Sequence, residues 1–117
     1  MEIPFQIETH DRMVSYDLLE AKEIQLGQQK IISEGVSIRV EGLRVRKAFG
    51  LPEIVNMTLM IGQNVALPIA LGILSSYLYD KLKNRKDTNI IINYSHVEIK
   101  AEKIEIAISN FIEKENK

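Results

Sequence analysis

Residues 53–84, EIVNMTLMIGQNVALPIALGILSSYLYDKLKN, decide the fold. No charged residue occurs between Glu53 and Asp80, and roughly 20 apolar residues suffice to span a bilayer. Gly62-Gln63-Asn64 divides this stretch. Ile54 to Ile61 is apolar and tolerant of extended backbone, so it reads as a buried strand that Gly62 ends. Asn64 is a good N-cap and opens a helix expected to run to about Asn84. Pro68 falls in its first turn, where the missing N–H would have no intrahelical partner anyway. Lys81, Lys83, Arg85 and Lys86 end it, where cations suit the helix macrodipole. Gln63, Asn64, Pro68, Gly72, Ser75 and Ser76 weaken membrane insertion, so strand plus helix is preferred to one span.

On a helical wheel, Leu67, Leu71, Leu74, Leu78 and Leu82 form one stripe, a seam suited to covering a sheet. Val65, Ile69 and Ile73 lie roughly opposite, with Ala66, Ala70, Gly72 and Ser76 between. The first turns are thus apolar all round, and such a helix is expected to be covered on every side. A two-layer domain of this size ordinarily buries one helix face. Three covers are open for Val65, Ile69 and Ile73: an N-terminal helix of the same chain, a second copy or partner protein, or a lipid bilayer.

Working outward, Ile3, Phe5 and Ile7 alternate with Glu2, Gln6 and Glu8, which predicts a strand over residues 2–9; Pro4 favours an edge or a strand start. Residues 13–26 are rich in helix formers, with Ser15 available as a cap and Gly27 as a stop. Val36, Ile38 and Val40, then Leu43 and Val45, alternate on either side of Glu41-Gly42, which suggests a hairpin or two short strands. Gly50-Leu51-Pro52 is a break. After an Asp87-Thr88-Asn89 turn, Ile90–Ile92, Tyr94, Val97 and Ile99 read as a hairpin around Ser95-His96. Ile104, Ala107, Ile108 and Phe111 share one face of a helix over 101–115; Ile104, Ile106 and Ile108 also alternate, so a strand over 103–108 is the rival.

The run GLPEIVNMTLMIGQNVALPIALGILSSYLYDKLK (50–83), followed by IIINYSHVEIKAEKIEIAI (90–108), resembles small bacterial domains of the effector-associated type. The resemblance covers about residues 50–117. It implies a glycine-broken strand, a helix, a hairpin and a final helix, in a module that recruits partners in bacterial conflict or signalling systems.

The 117 residues suit one domain, and 45% apolar with 26% charged residues is an ordinary globular balance. A net charge of −1 provides no long-range field to gather nucleic acid or anionic lipid. With no cysteine, disulfides and thiolate metal sites are excluded. The opening MEIPFQIETHD lacks the basic region and apolar run of a secretory signal, so a cytoplasmic location is expected, with membrane association as the alternative.

Reactive constellations are scarce. His10, Asp11 and His96 would need to converge to hold a metal, and no His-x-x-x-His or His-Glu-x-x-His spacing is present. Gly62-Gln63-Asn64 at a helix start offers an anion site in principle, but no lysine is nearby and a turn with a cap explains it. The basic runs Arg44-Val45-Arg46-Lys47 and Lys81-Leu82-Lys83-Asn84-Arg85-Lys86 would bind phosphate backbone only if they lay side by side; overall neutrality favours solvated charges instead.

The expectation is therefore a single α+β domain over residues 1–117, a mixed or antiparallel sheet packed by the helix at 64–84 and the C-terminal helix. Its expected function is non-enzymatic protein interaction, by self-association or partner recruitment, through Val65, Ile69 and Ile73, with no cofactor and no metal. A small membrane-anchored protein using the apolar segment 54–79 is the alternative, and nucleic-acid binding through the basic runs ranks below both.

Overall fold

In the computed structural model, which describes residues 1–44 and 50–116, strands and helices follow the order β1 (Glu2–Thr9), α1 (Val14–Leu19), β2 (Gln29–Ser33), β3 (Val36–Arg44), β4 (Glu53–Ile61), α2 (Leu67–Leu82), β5 (Thr88–Ile92), β6 (Ser95–Val97) and α3 (Ala101–Glu115). The strands form a six-stranded sheet in the order β2-β3-β4-β1-β5-β6. Every neighbouring pair is antiparallel. The fold is α+β.

The period of two puts the apolar set on one face. Ile3, Phe5 and Ile7 of β1 stand opposite Leu59, Met57 and Val55 of β4, Ile38 and Val40 of β3 join the same rows, and Ile90 and Ile92 extend them through β5. All are buried in one core cluster with Leu71, Leu74, Leu78 and Leu82 of α2 and Ile104, Ile108 and Ile112 of α3. The helices therefore cover one face of the sheet. The other face carries Glu2, Gln6, Glu8, Arg39, Asn56 and Asn89 and is open to solvent; Arg39 there donates to Glu2 at 2.8 Å and pairs with Glu41. That ion pair lowers the Glu41 pKa, chiefly through the Arg39 hydrogen bond, and raises that of Arg39.

Several expectations are corrected. The helix over 13–26 is only the six residues of α1. Asp11 accepts from the Met13 N–H at 2.9 Å, so Ser15 is not the cap, and Glu20, at φ 49, ends the helix well before Gly27. Residues 36–44 form one strand with a bulge between Val40 and Gly42 rather than two strands; β3 instead makes its hairpin with β2. Pro4 sits in an interior strand, at the point where the β5 pairing has ended at Phe5. α2 begins at Leu67 with Ala66 as an uncapped N-cap, so Asn64 caps nothing and Pro68 is the second helical residue. Thr88 and Asn89 belong to β5, and the hairpin turns at Asn93-Tyr94, both at positive φ (54 and 64), so His96 lies in a strand. Residues 103–108 are helical. Val45 lies outside the described residues.

Candidate functional site

The helix seam is as the wheel places it. Ala70, Leu71, Leu74, Ser75, Leu78 and Leu82 are buried against the sheet, and Leu67 is half-buried. The opposite face is not covered all round. Val65 is half-buried over the β2–β3 turn, where a Cβ at Gly35 would lie 2.4 Å from its Cγ2. With φ +77 as well, Gly35 is a position that glycine alone fills without strain. Ile73 is half-buried and borders a groove with Ile32 of β2. Ile69 is 61% exposed.

Two shallow grooves run along this face. One, of about 490 Å3, is lined by Gly35, Gly62, Asn64, Val65, Ala66 and Ile69. The other, also about 490 Å3, is lined by Ile32, Ile73, Ser76, Tyr77, Tyr79 and Ala101. Val65 and Ile69 thus border one groove and Ile73 the other, and of the three only Ile69 stands well into solvent.

α1 meets α2 farther along. The Tyr77 hydroxyl donates to the Leu18 carbonyl, and burial, aided by the nearby Glu20 charge, pushes the Tyr77 pKa up to about 12. Lys81 donates to Glu20 at 3.0 Å, Lys30 reaches the same carboxylate at 3.0 Å, and Arg85 binds Asp11 at 2.7 Å and also Asp17. The Lys30 hydrogen bond, then that of Lys81, lowers the Glu20 pKa. The Met13 N–H, then Arg85, lowers that of Asp11. The N-terminal helix therefore clamps the C-terminal half of α2 and leaves Ile69 uncovered.

Those contacts decide other residues too. Asp11 turns to Arg85, and His96 sits 3.7 Å from Glu8, so His10, Asp11 and His96 do not gather. Among the described residues no group of three metal-ligating side chains converges. The Gly62 N–H is taken by the Gly35 carbonyl at 2.7 Å, so Gly62-Gln63-Asn64 is a turn. Lys81, Lys83 and Arg85 are each paired with an acid; of the other basic run, Val45, Arg46 and Lys47 lie outside the described residues. Segment 54–79 is split between β4 and α2, and among the described residues no helix is long and apolar enough to cross a membrane.

Two features escaped sequence reasoning. Tyr94 is 99% exposed in a left-handed conformation, beside a 320 Å3 hollow on the open sheet face lined by Pro4, Gln6, Glu41, Asn56 and Ile91. Ile31 of β2 is 71% exposed. The adjacent isoleucines of β2 give no alternation, so nothing marked that strand.

A scan against protein-family models finds no match to the chain, and searches of the curated proteins and of the solved structures find none either. The resemblance of residues 50–117 to effector-associated domains accordingly rests on sequence pattern alone.

Proposed function

We propose that this chain is a non-enzymatic protein-interaction module that binds another protein, or a second copy of itself, through the outer face of α2. One observation carries the reading: Ile69 stands 61% exposed on the rim of a groove it lines with Val65, and Ile73, one turn along, lines a second. Single exposed apolar side chains are ordinary, but apolar side chains aligned with concavities are the form in which a helix offers a docking surface. The ion-paired Lys81, Lys83 and Arg85 at and beyond the C-terminal end of α2 give no comparable support to nucleic-acid binding.

Ile69→Asp tests the reading. A carboxylate is cheap in water and costly in a closed apolar interface. The variant is expected to keep the circular dichroism of the parent and to lose its association, read by light scattering for self-association and by co-purification from the source cells for a heterologous partner. A folded variant with unchanged mass and unchanged co-purifying proteins would show the face to be plain solvent surface.

A further inference from the structure

Among the described residues, the sheet order leaves one side of β2 and one side of β6 without a neighbouring strand. The two edges are built differently. β6 has three residues, carries His96 beside Glu8, and runs directly into the Glu98–Lys100 ion pair. Shortness and charge are the usual devices that keep an edge from pairing with another chain. β2 has five residues, QKIIS, and its only charge, Lys30, is drawn 3.0 Å from Glu20 of its own chain. Ile31 stands 71% exposed on the open sheet face, opposite Ser37. Ile32, on the helix side, borders the same groove as Ile73. Among the described residues, this edge is guarded by the ion-paired Lys30 and by a bulge between Ile31 and Ser33.

We propose that the occupant of this edge is a second copy of the chain, its β2 antiparallel to the first across a two-fold axis, so that the sheet continues from one copy into the other. The inference rests on the reading of the α2 face as an interaction surface and names its partner. Main-chain donors and acceptors of a free strand are matched by another strand, and a two-fold axis makes one antiparallel edge complementary to itself. The register follows from the side chains. Directly opposed residues share a face, so Ile31 can meet only residues of the open face, and every one-residue slip is excluded. Setting Lys30 against Lys30 opposes like charges. The next allowed register sets Ile31 against Ile31 of the other copy and Lys30 against Ile32. It covers the most exposed apolar side chain of the strand with its own counterpart. On the helix side it brings Ile32 and Ile73 of both copies, with the Ile69 face beyond them, to one continuous surface.

A cysteine-free chain makes the register directly readable. Opposed side chains in an antiparallel pair are close enough for a disulfide. Light scattering of the parent protein is expected to show twice the 13.4 kDa chain mass, and Ile31→Lys is expected to reduce it to one chain with unchanged circular dichroism, since the position is exposed. Under mild oxidation Ile31→Cys is expected to run as a covalent dimer on a non-reducing gel, and Lys30→Cys is not. A parent protein of single-chain mass at every concentration overturns the second copy, and cross-linking of Lys30→Cys in place of Ile31→Cys overturns the register. A double mass that survives Ile31→Lys but disappears in Ile69→Asp overturns the β2 seam while the α2 face stands. A mass halved by Ile31→Lys and untouched by Ile69→Asp, with no co-purifying protein lost, supports the seam and removes the α2 reading.

Discussion

α2 and α3 lie side by side on the same face of the sheet, and they use their apolar residues differently. In α3, Ile104, Ile108 and Ile112 are buried at a spacing of four, while Glu102, Lys103, Asn110 and Glu113 face water. One stripe meets one sheet, and Ile106, 54% exposed, is an isolated exception. In α2 the same demand is met by Leu71, Leu74, Leu78 and Leu82, and Val65, just before the helix, forms a second line with Ile69 and Ile73 on the other side. α2 is also tied to α1 by the Tyr77–Leu18 hydrogen bond, and around the ends of the two helices Lys81 pairs with Glu20 and Arg85 with Asp11; among the described residues no ion pair joins α3 to another element. Of that second line, Val65 and Ile73 are half-buried against the core and only Ile69 is left exposed, 61% to solvent.

The comparison breaks first at the two buried stripes. Leu74→Ala and Ile108→Ala remove side chains that are fully buried, and each is expected to cost about 2–5 kcal/mol in chemical denaturation because a cavity remains. Ser76→Ala, on the exposed side of α2, should change stability by no more than about 0.5 kcal/mol. If Leu74→Ala is as mild as Ser76→Ala, α2 does not pack through its leucines and the contrast with α3 disappears.

The clamp on α2 comes next. Tyr77→Phe deletes the hydrogen bond to the Leu18 carbonyl and is expected to cost about 0.5–1.5 kcal/mol. It also has a pH signature. The folded pKa of Tyr77, about 12, lies above its ordinary value of 10.0, so the neutral phenol favours the fold. The contribution is complete below pH 10 and fades as pH rises toward 12. Urea titrations through that window should show a decline that Tyr77→Phe reduces; an identical decline in both proteins would place the loss elsewhere.

On the acid side the carboxylates of the clamp act in the reverse sense. Asp11 and Glu20 have pKa values lowered below 3.8 and 4.5, so their contribution is complete above those values and is lost as pH falls through the lower folded ones. The effect is expected to be small, because exposed ion pairs contribute little and salt screens them. Denaturation at pH 7 and pH 3 should differ less in Arg85→Gln than in the parent. Equal differences would show that Arg85 does not depress the Asp11 pKa.

What the sequence made legible follows from where packing and pattern agree. β1 alternates because one of its faces is core, β4 is legible as an apolar run ended by Gly62, and α3 shows its stripe because its other face is charged. α1 is shorter than its composition suggests because Glu20-Ala21-Lys22-Glu23 has helix propensity without an apolar stripe to hold it on the core, and propensity alone is a weak prior. β2 shows no alternation in the sequence because Ile31 and Ile32 are adjacent, one on each face of an edge strand. The turn in the last hairpin was misplaced because Asn93-Tyr94 puts a bulky residue at positive φ, where glycine is expected. Val65, Ile69 and Ile73 were visible as a surplus, but their unequal exposure depends on Gly35 and Ile32, which only the three-dimensional packing brings to them.

The smallest expected effect on stability separates an isolated exposed isoleucine from an aligned one. Ile106→Asp places a poor helix former within α3 and is expected to cost about 0.5 kcal/mol. Ile69 is the third residue of α2, and an acid in the first turn of a helix is favoured by the macrodipole, which offsets the loss of propensity. Ile69→Asp should therefore unfold at nearly the same denaturant concentration as the parent, and closer to it than Ile106→Asp does. Association should rank the two variants in the opposite order: lost in Ile69→Asp, kept in Ile106→Asp. Measured together, the two variants control for general destabilisation and added charge, since each carries the same new carboxylate on an exposed helix position. If both lose association, the cause is charge alone; if neither does, the second apolar line of α2 is as idle as the lone Ile106 of α3.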